Sequence, residues 1–240
     1  MTIRALVLAA GLGTRLKPFT DTHPKCLAPI GNRPLLDYWM EALALAKITD
    51  VLINTHAHHQ QVNDYLATHP HGLQPKAFYE PQLLGSAGTI TANAQFMEGA
   101  DHCLVIYADN LSSIQLGPLL HWHRNQLEPF TMLLFRTPHP KRCGIAQLDD
   151  ANRIIHFEEK PKSPQGNLAN AGLYVMTAAL FREMAAMNAF DIGHDILPGL
   201  TGRMAGYPFK GYHRDIGNPE ALAAAQEEFR QGSFQPGSNS

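Results

Sequence analysis

Cysteine is scarce in this chain. Its 240 residues carry only Cys26, Cys103 and Cys143, too few and too scattered for a disulfide framework or a zinc site, which points to a reducing compartment. Long apolar runs are also missing. None approaches the roughly 18–20 residues needed to cross a bilayer, and the stretch from Ile3 to Ala10 is short and runs straight into glycine, unlike a secretory leader. The expectation is a soluble, cytoplasmic protein with no membrane partner. Neither charge is in excess: 19 Lys and Arg face 21 Asp and Glu, a formal net charge of −2, which argues against a nucleic-acid surface or a polybasic patch. With 45% hydrophobic and 17% charged residues, the composition is that of an ordinary globular protein able to bury a substantial core. Histidine is abundant at thirteen, but no HExxH pattern exists. His56, His58, His59, His121 and His123 are read as surface or partly buried groups, not metal ligands.

Strand-like and helix-like stretches alternate through the first half. Ile3–Ala9, Asp50–Asn54, Lys76–Tyr79 and Cys103–Tyr107 read as strands. Pro34–Lys47, His59–Thr68 and Gly85–Phe96 read as helices, the first with an apolar stripe at Leu35, Leu36, Trp39, Met40, Leu43 and Ala46 and with Pro34 in its first turn. This order predicts an α/β fold, a Rossmann-like doubly wound, mixed and mainly parallel sheet flanked by helices. Beyond residue 115 the rhythm changes. After a helix at Leu116–Gln126, strands at Thr131–Phe135, Gly144–Leu148, Ile154–Phe157 and Ala171–Met176 suggest a mixed or antiparallel extension. Helical stretches at Thr177–Met187, Ile192–Leu200 and Asn218–Arg230, with a strand at Ala205–Pro208, complete one domain over residues 1–230. Its halves are expected at 1–115 and 116–230, and the Gly/Ser/Pro-rich residues 231–240 are expected to be a disordered tail.

The chain is organised around Leu6-Val7-Leu8-Ala9-Ala10-Gly11-Leu12-Gly13-Thr14-Arg15-Leu16-Lys17-Pro18 and the Pro24-Lys25-Cys26-Leu27-Ala28-Pro29 that follows. An apolar strand feeds a two-glycine loop whose backbone N–H groups can approach a ligand closely, and Arg15 and Lys25 supply charge suited to a polyphosphate. Two familiar phosphate loops do not fit. There is no Gly-x-x-x-x-Gly-Lys-Ser/Thr string, and the third glycine of a dinucleotide fingerprint is replaced by Leu16, with no well-placed acid about 20 residues on.

Leu-Ala-Ala-Gly-x-Gly-Thr-Arg-Leu-x-Pro with Pro-Lys downstream resembles the signature of the sugar-1-phosphate nucleotidyltransferases, whose fold is the GT-A-like nucleotide-diphospho-sugar transferase fold. The resemblance runs from about residue 3 to 228. Glu80-Pro81-Gln82-Leu83-Leu84-Gly85-Ser86-Ala87-Gly88 is similar to the family's base-pocket loop. Asp109-Asn110 matches its metal aspartate, and Phe157-Glu158-Glu159-Lys160-Pro161 its Glu-Lys-Pro signature. Asn170-Ala171-Gly172-Leu173-Tyr174 and Arg214-Asp215-Ile216-Gly217-Asn218-Pro219 resemble two later motifs. Cys26 replaces a common proline, and His213 stands where an aromatic is usual.

The resemblance implies an enzyme that joins a nucleoside triphosphate to a sugar 1-phosphate, releasing pyrophosphate, with Mg²⁺ as cofactor. It places Leu8, Ala10, Gly11, Gly13 and Thr14 at the nucleotide, with Glu80 and Gly85 on the base. Arg15 would hold the β- and γ-phosphates, and Lys25 the α-phosphate. Asp109, a catalytic residue with Arg15 and Lys25, and Asp215 would hold the metal. Gly144, Glu159, Lys160 and Asn170 would bind the sugar phosphate; the Asp191-Ile192-Gly193-His194-Asp195 segment reads either as a sugar contact or as a helix cap. Because a carboxylate at Glu80 suits the two donors of guanine, and the Leu-Gly-Ser-Ala-Gly string is similar to the guanylyltransferase branch, GTP with mannose or heptose 1-phosphate is favoured. A uridylyl- or thymidylyltransferase acting on glucose 1-phosphate is the alternative, and a non-catalytic sugar-nucleotide sensor a remote one. Monomer and homo-oligomer both stay open.

Overall fold

The computed structural model describes residues 2–69 and 71–237. In chain order its elements are β1 (Ile3–Leu8), β2 (Pro29–Ile30), β3 (Arg33–Pro34), α1 (Leu35–Leu45), β4 (Asp50–Thr55), α2 (His59–Thr68), β5 (Gln74–Tyr79), α3 (Gly85–Ala92), β6 (His102–Tyr107) and β7 (Asn110–Ser112). They continue with α4 (Leu116–Arg124), β8 (Phe130–Arg136), β9 (Gly144–Leu148), β10 (Ile154–Glu159), β11 (Leu168–Thr177), α5 (Ala178–Ala185), β12 (Met204–Pro208), β13 (His213–Asp215) and α6 (Pro219–Arg230). No described helix is long and apolar enough to cross a membrane.

The chain forms two compact units that interleave in sequence. Among the described residues, the first unit comprises Arg4–Leu83, Ile106–Gly117 and 211–237; the second unit comprises Leu84–Val105 and Pro118–Lys210, with residues 2–3. A cut at residue 115 therefore does not describe the halves. The terminal helix returns to the first half because its apolar face needs cover that the β2 and α1 region supplies.

In the first unit, β4 pairs in parallel with β1 and with β5, in registers that set Leu8 beside Asn54 and Asn54 beside Phe78. Ala5, Leu6 and Val7 of β1 and Val51 and Ile53 of β4 are buried, as expected for strands covered on both faces. Pro34 lies in extended backbone just before α1, one position earlier than the first helical turn expected for it. Two short strands with no hydrophobic periodicity, β7 and β13, pair antiparallel and align Asp215 with Asn110.

Residues 231–237 are not a disordered tail. Phe234 is 2% exposed in a cluster with Ile30, Leu35, Tyr38, Leu111, Ile216 and Ala225, its ring 5.3 Å from that of Tyr38 and 5.1 Å from that of Tyr212. One aromatic side chain thus anchors a polar segment whose composition alone reads as disordered. Residues 238–240 of the expected tail lie outside the described residues.

In the second unit, β11 pairs antiparallel with β8 and β9, β9 with β10, and β12 joins β8 in parallel. This is the mixed extension expected from the later strands. Helix α5 opens on Thr177, whose hydroxyl accepts from the Leu180 N–H at 3.2 Å, satisfying one donor of its first turn.

Candidate active site

The glycine loop leaves β1 and turns twice. Gly13 sits in the left-handed region at φ 61° and begins a short 3-10 turn, Thr14–Leu16, that carries Arg15. A methyl group on Gly13 would lie 2.7 Å from Thr20 Cγ2 and 3.2 Å from Lys25 Cβ. Glycine is therefore required both by conformation and by the close approach of the lysine-bearing segment. Nothing lies within 4 Å of the corresponding position on Gly11, so there the protein's own packing does not demand glycine.

Lys25 begins a second 3-10 turn, Lys25–Leu27, and is only 8% exposed. Its ammonium donates to Asp109 Oδ2 at 2.6 Å and lies 3.6 Å from Asp215 Oδ1. The fold converges these three groups from separate stretches: a 3-10 turn, the turn between β6 and β7, and the end of β13. The Ile216 N–H donates to the Asp109 carbonyl at 2.9 Å, fastening the two aspartates together through the backbone. At Gly217 a methyl group would meet Asp215 Oδ2 at 2.9 Å and Arg15 Nη2 at 3.1 Å. The missing side chain thus lets the Arg15 guanidinium approach the carboxylate.

Partial desolvation, then the negative charge of Asp109, raises the pKa of Asp215, whose side chain is still 56% exposed, against the lowering effect of Lys25 and Arg15. Two converging carboxylates suit Mg²⁺, which is held by one or two protein carboxylates plus phosphate oxygens and water. No group of three or more His, Cys, Asp or Glu arranged for a metal occurs among the described residues.

Neighbouring titratable side chains are inert by burial. Cys26 is pushed up to about 12, leaving a thiol with no nucleophilic character near neutrality. His213, in place of an aromatic, is half-buried; desolvation pushes it down to about 4, so the ring is neutral near pH 7.

Glu80 departs from the expectation. It is 1% exposed, and Oε1 accepts from Asn54 Nδ2 at 2.8 Å. Its position just after β5 turns that oxygen into the protein, where Asn54 engages it. Gly85, from the same loop in sequence, belongs to the second unit. It has φ 75° and packs against Phe190.

In the second unit, β9 and β10 pair Gly144 with Glu159. A methyl group on Gly144 would lie 2.5 Å from Glu159 Oε2, and one on Gly193 would lie 3.1 Å from the same oxygen. Two glycines from distant stretches thus make room for one carboxylate. Burial and Asp191 raise the Glu159 pKa, opposed by Lys160 and His194. Lys160, at φ 48°, extends into solvent with its ammonium 3.6 Å from Glu159. Gly144, Glu159 and Lys160 are therefore brought together as expected.

Asn170 is engaged locally: Nδ2 donates to the Tyr174 hydroxyl at 2.8 Å and Oδ1 accepts from the Gly172 N–H at 2.9 Å. Its amide pins the irregularity between Asn170 and Tyr174 in β11, a structural task that its sequence motif did not signal. Asp191 proves to be a cap, accepting from the His194 N–H at 2.9 Å and from the Ser86 hydroxyl at 3.1 Å. Gly193 and Gly217 carry no signal of a role in the sequence, because a missing side chain shows its purpose only when its neighbours are placed.

Comparison with known proteins places the chain in a family. The nucleotidyl transferase family profile matches residues 4–232. A mannose-1-phosphate guanylyltransferase of Mycobacterium tuberculosis is 29% identical over 96% of this chain and 65% of its own length. A glucose-1-phosphate thymidylyltransferase of Streptomyces griseus is 31% identical over 90% of this chain and 63% of its own. The chain thus spans under two thirds of these curated relatives. A solved Bacillus anthracis structure, provisionally named a glucose-1-phosphate thymidylyltransferase and crystallised with sucrose, superposes with a TM-score of 0.86 at 26% identity, covering 99% of this chain and 98% of that one. The fold is the α/β, Rossmann-like fold of that structure, and the chain belongs to the nucleotidyl transferase family.

Proposed function

We propose that the protein is a sugar-1-phosphate nucleotidyltransferase. The observation that carries this reading is the Lys25–Asp109–Asp215 cluster beside the glycine loop, with the Arg15 guanidinium drawn in at Gly217. An oxygen of the sugar phosphate attacks the α-phosphorus of the triphosphate. A new P–O bond forms there, and the bond to the β-phosphate breaks to release pyrophosphate. The attacking oxygen is already anionic near neutrality, so no general base is needed, and catalysis rests on positioning and electrostatics.

Lys25, held in a buried position by two carboxylates, supplies fixed positive charge for the α-phosphate. Arg15 follows the charge onto the leaving pyrophosphate. Asp109 and Asp215 would hold Mg²⁺, which when bound would offset the charge on the phosphates. In the second unit, Glu159 accepts from sugar hydroxyls in the space left by Gly144 and Gly193, and Lys160 binds the sugar's phosphate.

GTP with a mannose- or heptose-type 1-phosphate is the favoured pair. It is supported by the Leu84-Gly85-Ser86-Ala87-Gly88 string and by the guanylyltransferases among the relatives. The thymidylyltransferase relatives favour dTTP or UTP with glucose 1-phosphate as the second reading. A pyrophosphate-release screen crossing GTP, UTP, dTTP, CTP and ATP with mannose, glucose and D-glycero-D-manno-heptose 1-phosphates tests both. Turnover with GTP supports the first reading; turnover confined to dTTP or UTP replaces it with the second.

A further inference from the structure

The carboxyl ends of β1, β4 and β5 lie side by side in a parallel arrangement, the region beyond which α/β sheets bind their ligands. One side chain ties all three ends together. Asn54 Oδ1 accepts from the Ala9 N–H at 2.6 Å, and Asn54 Nδ2 donates to Glu80 Oε1 at 2.8 Å. Two further contacts hold the same corner: the Glu80 N–H donates to the Thr55 carbonyl at 2.8 Å, and the His56 side chain places Nδ1 2.7 Å from the Glu80 carbonyl. Asn54 is 4% exposed and Glu80 1%, so both contacts are made away from water, where an unpaired polar group is costly.

The chemistry of the partners fixes the amide's direction. A peptide N–H can only donate, and an ionised carboxylate can only accept. An asparagine between them must therefore turn its oxygen to Ala9 and its nitrogen to Glu80. Only a side chain with both functions serves. Ala9 immediately precedes Ala10 and Gly11, so whatever sets the Ala9 peptide plane also aims the backbone groups of the loop.

We infer that Asn54 is a positioning residue of the nucleotide site: its amide couples the Glu80 carboxylate to the Ala9–Gly11 backbone and thereby sets the affinity for the nucleoside triphosphate. This rests on the proposed assignment of that loop to the nucleotide. Asn54 touches no reacting atom in this account. Its removal acts on triphosphate binding and leaves the affinity for sugar phosphate alone. Simple loss of folding lowers the amount of active protein without separating the two Michaelis constants.

The relay predicts a specific rescue. In an Asn54→Asp variant the donor to Glu80 is lost and two carboxylates face each other. Adding Glu80→Gln reverses the polarity of the second bond, with residue 80 donating to residue 54, at the original net charge and nearly the original shape. Steady-state kinetics of wild type, Asn54→Asp and the double variant, with either substrate varied, test this. Asn54→Asp is expected to raise KM for the triphosphate about tenfold, the size of one lost hydrogen bond, with KM for the sugar phosphate within about twofold. The double variant is expected to return the triphosphate KM to within about threefold of wild type. An unchanged triphosphate KM in Asn54→Asp, parallel rises in both constants, or no recovery in the double variant would overturn the inference. Should Asn54→Asp not fold, the double variant carries the test: wild-type-like triphosphate KM supports the relay, and a raised constant or failure to fold contradicts it. A wild-type protein that turns over no triphosphate overturns the functional reading instead.

Discussion

The ammonium of Lys25 lies 2.6 Å from Asp109 Oδ2 and is almost fully buried. A lysine in that setting is held as a fixed charge by its carboxylate neighbours, with little freedom to move. Lys25→Ala is expected to lower kcat about 10²- to 10³-fold, the usual cost of removing one preorganised electrostatic group, with a smaller change in KM for the sugar phosphate. Lys25→Arg is not expected to restore activity, because a planar fork cannot replace a compact ammonium between two carboxylates. Steady-state kinetics on the two variants check this, and unchanged kcat in Lys25→Ala would remove the residue from the mechanism.

Gly217 is required by space. A methyl group there would meet both Asp215 oxygens and Arg15 Nη2 at 2.9–3.1 Å. Gly217→Ala is therefore expected to push Arg15 and Asp215 apart and to cut kcat at least about tenfold, with thermal stability lowered by no more than about 1–3 kcal/mol, the usual cost of overpacking. Kinetics and calorimetry on the same preparation separate the two effects.

Glu159 should title the pH profile of acceptor use. Burial, reinforced by Asp191, raises its pKa, so the carboxylate proposed to accept from sugar hydroxyls is lost to protonation above the ordinary carboxylate range. The expected profile of kcat/KM for the sugar phosphate falls on the acid side before an exposed carboxylate would titrate. Glu159→Gln should lower kcat/KM and flatten that limb. A limb unchanged in Glu159→Gln assigns it to another group.

Acid sensitivity of the fold is expected from a buried histidine pair. His123 Nε2 lies 3.1 Å from His102 Nδ1, and His123 Nδ1 2.7 Å from the Thr131 hydroxyl. Burial first, then the nearby charges of His102 and Arg124, push His123 down to about 4. The unfolded chain takes up this proton near pH 6.5 and the folded one only near pH 4. Stability from the neutral ring is therefore present above pH 6.5 and is lost as pH falls toward 4, by at most about 3 kcal/mol. Urea unfolding at pH 7, 5.5 and 4.5 measures it, and His123→Gln should show a shallower decline.

Phe234 gives the segment after α6 its role in stability. Phe234→Ala empties a buried ring site shared with Tyr38, Tyr212 and Phe229 and is expected to cost about 3 kcal/mol. Because Leu111 and Ile216 belong to the same cluster, hydrogen exchange should quicken at β7 and β13 as well as at the chain's end.

The parallel strands and the helices joining them were legible because buried strands and amphipathic helices repeat with fixed periods. His59–Thr68 and Gly144–Leu148 occupy the expected bounds. The pair β7 and β13 was not, since three-residue strands carry no period and their partners lie about 100 residues apart. Lys25, Asp109 and Asp215 could be nominated from motifs, but that they share one charged cluster is a property of chain folding. Glu80 and Asn170 show the opposite limit. Their side chains have the right chemistry for a ligand, yet each makes bonds inside the protein, to Asn54 and to Tyr174. Residue type does not reveal which way a side chain turns.

The central claim is that a sugar phosphate oxygen displaces pyrophosphate from a nucleoside triphosphate. Phosphorus NMR of the protein incubated with GTP, mannose 1-phosphate and Mg²⁺, with dTTP and glucose 1-phosphate in parallel, tests it most directly. The account predicts equal growth of pyrophosphate and of paired diphosphate-diester resonances in at least one mixture, with neither formed when the sugar phosphate is omitted. Release of inorganic phosphate and nucleoside diphosphate in place of those products would contradict it.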